Sequence, residues 1–68
     1  MTEYTVHFQK GRVVGARSLH MVHVEAETVS AAMKAAKAEH ATWGDIAGYR
    51  LTRVDHFDDE TGRLVIDQ

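Results

Sequence analysis

The chain has 68 residues, 44% of them hydrophobic and 26% charged, with a formal net charge of −2 and no cysteine. That length holds one small domain, and that composition belongs to a globular chain, not a disordered or fibrous one. No apolar run reaches the ~18 residues of a membrane span, and the absence of cysteine excludes disulfide staples, thiolate metal sites, iron–sulfur clusters and a cysteine nucleophile.

In chain order, Tyr4, Val6 and Phe8 alternate with Thr5, His7 and Gln9, a period of two that predicts a half-buried strand. Lys10 to Arg17 carries two glycines and three cations and reads as a loop. A second strand is expected over Leu19–Ala26, with Val22, Val24 and Ala26 on one face and Leu19 and Met21 on the other. Apolar residues on both faces predict a strand in the middle of the sheet or at an interface. Thr28 is the expected N-cap of an Ala-rich helix in which Val29, Ala32, Met33, Ala36 and His40 recur at helical spacing. Trp43 is expected to plug one end of the core, with Gly44 as the residue that ends the helix.

A third strand follows, with Tyr49, Leu51, Arg53, Asp55 and Phe57 in one alternating set and Arg50, Thr52, Val54 and His56 in the other. Asp58 to Gly62 is a polar turn, and Leu64-Val65-Ile66 forms a short last strand. The order ββαββ predicts an α+β two-layer sandwich, one antiparallel sheet with a helix packed on one face. The whole chain, 1–68, is a single domain without linker or repeat.

The motifs exclude more chemistry than they support. His20-Met21-Val22-His23 has a chelating spacing on a helix, but on a strand residues three apart point to opposite faces. No HExxH is present, so no metal site is expected, and the five histidines read as strand residues of tunable charge. Asp58-Asp59-Glu60-Thr61-Gly62 departs from the calcium-loop pattern, and Gly11 to Gly15 fits neither a P-loop nor a dinucleotide fingerprint. No nucleophile elbow appears, and one helix on one sheet leaves little room for the ~300 Å³ or more of an enzyme pocket. Neither catalytic residues nor a cofactor are expected, and a non-enzymatic role follows.

Charge is unevenly spread. Residues 1–24 hold three basic residues against one acidic, residues 25–54 four of each, and residues 55–68 one basic against five acidic. Ends of opposite sign can pair within one fold or between two copies. Lys10, Arg12 and Arg17 form an acid-free basic stretch, and with sheet aromatics such as Tyr4, Phe8 or Tyr49 they make nucleic-acid binding the alternative reading. Against it stand a pI near 6.2 and the acidic C-terminal end. The two-faced second strand and the edges without proline favour protein contact, with Leu19, Met21, Arg50 and Arg53 as candidate contact residues. Chains this short without disulfides gain stability by oligomerising, so a homodimer is expected.

Nine alanines, eight valines, no asparagine and more Arg than Lys follow GC-rich codon usage. The run Val22-His23-Val24-Glu25-Ala26-Glu27-Thr28-Val29-Ser30-Ala31-Ala32 takes a Val-x-Ala strand end into a capped Ala-rich helix. Over about residues 22–41 it resembles small phage and actinobacterial accessory proteins. That resemblance implies a phage-encoded protein that binds and redirects a host protein. It carries over no functional residue. The start MTEYTVHF has no basic and apolar leader pattern, and a cytoplasmic location without membrane contact is expected.

Overall fold

The computed structural model of the chain describes residues 1–11, 19–43 and 48–68. Its elements are β1 (Thr2–Lys10), β2 (Leu19–Ala26), α1 (Val29–His40), β3 (Tyr49–Asp58) and β4 (Arg63–Ile66). The four strands form one antiparallel sheet in the order β2-β1-β3-β4, and α1 packs across β2 and β1. This is the expected α+β sandwich. Among the described residues no helix is long and apolar enough to cross a membrane.

The period of two in β1 determines the layering. Tyr4, Val6 and Phe8 are buried under the helix while Thr5, His7 and Gln9 look away from it. Val22 and Ala26 of β2 join that core, with Ala32 and Ala36 of α1 above them and Val54 of β3 beside Val6. Val29, Met33, Trp43, Tyr49 and Leu51 pack around its rim. The alanines let the helix backbone lie close to the sheet, and the largest fully buried side chains are only Val6 and Val54. Thr28 caps α1 as expected, its hydroxyl accepting from the Ala31 N–H at 3.1 Å. Gly44 lies outside the described residues.

Two expectations are corrected. β2 is an edge strand, not a central one; β1 and β3 hold the middle. Its second apolar face arises because Leu19 and Met21 lie on the side of the sheet that no helix covers. In β3 the strict alternation fails. His7 pairs with Arg53 but Phe8 pairs with Leu51, so Thr52 is an extra residue, a β-bulge. The bulge puts Tyr49 and Leu51 on the helix side together with Val54 and His56. It puts Arg50 on the open side with Arg53, Asp55 and Phe57.

The β3–β4 turn is built by Asp58. Its side chain accepts from the Glu60 N–H at 3.0 Å and from the Thr61 hydroxyl at 3.2 Å, and its carbonyl accepts from the Gly62 N–H at 2.8 Å. Gly62 closes the turn at φ 68°, where a side chain would be strained. Asp58 to Gly62 is therefore a solvated turn, as the sequence predicts.

Candidate interaction surface

The face opposite α1 can be read row by row from the strand register. Leu19, Gln9 and Arg50 make one row across β2, β1 and β3, and Met21, His7 and Arg53 make the next. His23, Thr5, Asp55 and Ile66 form the third, and beyond it lie Glu25 beside Glu3 and Phe57 beside Leu64. The four contact candidates Leu19, Met21, Arg50 and Arg53 thus occupy two adjacent rows. Only the bulge at Thr52 brings Arg50 and Arg53, three apart in sequence, onto the same side.

A polar cluster holds the centre of this face. Asp55 is buried, with 4% of its surface exposed. His7 Nε2 lies 2.8 Å from its Oδ2, and since a carboxylate only accepts, Nε2 carries the proton and donates. Arg53 Nε is also 2.8 Å from Oδ2, an ion pair whose N–H is not aimed at the oxygen. His23 Nδ1 shares a 3.1 Å hydrogen bond with the Thr5 hydroxyl. Arg50 donates to the Gly11 carbonyl at 3.2 Å, which ties β3 to the end of β1. A histidine oriented by a carboxylate is half of a catalytic arrangement. The hydroxyl across the ladder, Thr5, is bonded to His23 instead of His7. The centre of the cluster is thus the Asp55 carboxylate held between His7 and Arg53.

Apolar side chains flank that cluster. Leu19 and Met21 are exposed at the β2 corner, and Phe57, Leu64 and Ile66 at the opposite corner, the last three at 58%, 56% and 61%. Together they leave of the order of 500 Å² of apolar side chain in water, divided between two separate patches. The strand ends differ in charge. Arg50 and Arg53 lie toward one end, and Glu3, Glu25, Asp58, Asp59 and Glu60 toward the other.

At the acidic end a half-open concavity of about 600 Å³ is bordered by Glu3, Glu25, His56, Phe57, Asp58 and Glu60. Its volume exceeds what the sequence predicts for one helix on one sheet. Met1, Thr2 and the start of the β3–β4 turn complete its border, so it lies at the end of the sheet and not in the sandwich interior. Among the described residues no group of three or more His, Asp or Glu could hold a metal ion. His20 and His23 face opposite sides, His20 against Trp43 and His23 against Thr5.

The nucleic-acid candidates fare differently. Lys10 ends β1 with its ammonium 5.9 Å from the centre of the Tyr49 ring, whereas Arg12 and Arg17 lie outside the described residues. Tyr4 and Phe8 are core residues, 6% and 2% exposed, and cannot stack bases. Among the described residues the open face keeps one Phe, Tyr or Trp ring, Phe57. Sequence reading missed the Asp55 cluster, because nothing in a linear pattern marks which Asp a sheet will bury. It also missed the exposure of Phe57 and Leu64, which lie on the face of the sheet opposite the helix.

Compared with protein-family models, curated proteins and solved structures, the chain matches none.

Proposed function

We propose that the chain is a non-enzymatic protein-interaction module whose contact surface is the open face of its sheet. The observation that carries this reading is the arrangement of exposed Leu19 and Met21 beside Arg50 and Arg53, with Phe57, Leu64 and Ile66 at the opposite corner. Apolar anchors around fixed charges are the makings of a specific contact. The anchors supply area removed from water, and the charges select the partner. The module works as a small homodimer. Its resemblance to phage accessory proteins makes a host protein the natural second partner, which it would modulate or inhibit.

The test is affinity capture from an actinobacterial lysate with nuclease present, comparing the wild type with a Met21→Asp/Arg53→Glu variant. Met21 is exposed and Arg53 half-exposed, but Arg53→Glu sets a second carboxylate beside buried Asp55, so the comparison is made on variant protein whose circular dichroism and thermal transition match the wild type. A stoichiometric protein retained by the wild type and lost by the variant supports the reading. Capture that is equal for both, or that vanishes with nuclease, refutes it; the second result puts nucleic-acid binding through Lys10, Arg12 and Arg17 in its place.

A further inference from the structure

β4 combines three features that point to one occupant. It is an edge strand, and all four of its residues are exposed. It is apolar on both sides, Leu64 and Ile66 on the open face and Val65, 37% exposed, on the helix side. Its four residues include neither proline nor lysine to blunt the edge, and the irregularity comes only after them, where Asp67 and Gln68 both donate to the Val54 carbonyl.

Its backbone is poised for another strand. The Asp67 N–H donates to the Val54 carbonyl at 2.8 Å. Inward and outward bonding alternate along an antiparallel ladder. Val65 and Arg63 therefore bond toward β3, and Leu64 and Ile66 turn their N–H and C=O groups outward.

The side chains specify which strand. Arg63-Leu64-Val65-Ile66-Asp67 is cation, three apolar residues, anion, and it is complementary to itself when reversed about Val65. We infer that two copies pair β4 against β4 antiparallel, across a twofold axis at Val65, joining two four-stranded sheets into one of eight. Each Leu64 then faces an Ile66, and these residues exchange four backbone hydrogen bonds. Each Arg63 faces an Asp67. Among the described residues Arg63 has no ion pair of its own. Asp67 Oδ2 accepts from His56 Nδ1 at 2.6 Å, which leaves Oδ1 for the incoming guanidinium. The axis is perpendicular to the sheet, so both helices stand on one side and both open faces form one continuous surface.

This inference rests on the interaction-module reading and names the partner as a second copy. A contact of two short strands falls below the ~1,200 Å² of a standard interface, in the class of weak contacts.

The chain has no cysteine, so Val65→Cys places one thiol per copy. Facing residues of a non-hydrogen-bonded pair have Cβ atoms about 4.5–5.5 Å apart, near disulfide reach. Mild oxidation should give a covalent dimer for Val65→Cys and none for Met21→Cys. Arg63→Asp and Asp67→Arg should each sediment as monomers, and an equimolar mixture should recover the dimer, because both contacts again join opposite charges. If Asp67→Arg misfolds, the cysteine pair decides alone. A wild-type chain that stays monomeric at millimolar concentration overturns the inference. So does a dimer that crosslinks through Cys at 21 and not at 65. In either case a partner protein still captured through Met21 and Arg53 leaves the interaction module standing. A dimer crosslinked at 65 that captures nothing refutes only that reading.

Discussion

His40 ends α1 inside the core, 9% exposed, and its ring is held on three sides. Phe8 stacks on it at 4.3 Å with an interplanar angle of 9°, while Trp43 and Tyr49 meet it edge-on at 4.3 and 5.7 Å. Neither ring nitrogen has a hydrogen-bond partner among the described residues. An unsatisfied buried polar group costs about 1–3 kcal/mol, whereas an apolar ring of similar shape carries no such cost. His40→Phe keeps the stacking and removes both nitrogens. The slightly larger ring gives back roughly 1 kcal/mol in a close-packed site. The expected net gain is ~1 kcal/mol, a rise in Tm of about 4–8 °C for a domain of this size. His40→Ala removes the ring and should cost ~3 kcal/mol or more, comparable to the whole stability of so small a core. Urea titration followed by Trp43 fluorescence measures both. A His40→Phe chain with native spectra but 1 kcal/mol less stability would refute the reasoning, because the imidazole would then be holding a partner worth more than its desolvation.

Further substitutions probe other parts of the fold. Thr28→Ala removes the cap of α1 and should cost ~1 kcal/mol in the same titration. Gly62→Ala meets no atom within 4 Å of the added Cβ, so its expected loss of about 1–2 kcal/mol comes from the positive φ alone, and Gly62→Asn should lose less. Asp55→Asn should cost about 1–3 kcal/mol because a buried carboxylate with two partners is weakened. Arg53→Ala, whose side chain is 39% exposed, should cost under ~1 kcal/mol; equal losses for the two would show that the ion pair, not the His7 bond, holds the cluster.

The elements were legible because local signals agreed with the fold. The alternation in β1, the Thr28 cap, the helical spacing of Ala32, Ala36 and His40, and the Asp58–Gly62 turn all follow from short-range chemistry. The opposed faces of His20 and His23 followed from strand geometry in the same way. What the sequence left hidden depends on pairing. β2 reads as central or as an interface strand because both its faces carry apolar residues; it is an edge strand whose second face is open, so only the central placement fails. A single extra residue at Thr52 reversed the faces of Tyr49, Leu51 and Arg50 relative to Arg53, and no turn residue announces it. Asp55 is buried through His7, 48 residues away in sequence, and no local pattern encodes that neighbour. Of the candidate site, Leu19 and Met21 were readable from alternation alone. That Arg50 and Arg53 join them on one face was not.

The ratio of helix to sheet explains why this chain leaves so much for a partner. An α-helix is about 10 Å across, and four strands spaced about 4.8 Å apart span roughly 19 Å. One helix therefore covers two strands, and α1 sits on β2 and β1. Among the described residues the β3–β4 half has no helix on either face, Val65 lying on the side of α1 and Phe57, Leu64 and Ile66 on the other. It is where Phe57, Leu64, Val65 and Ile66 remain exposed. The whole chain shows 4909 Å² of surface, against about 4,300 Å² expected for a compact monomer of its mass. Its radius of gyration is 12.3 Å where about 11 Å would suffice. A second helix would have closed one of those faces within the chain. Among the described residues nothing covers Phe57, Leu64, Val65 or Ile66, and the proposed pairing of Arg63 to Asp67 between two copies would shield the β4 edge while leaving Phe57 for a further contact.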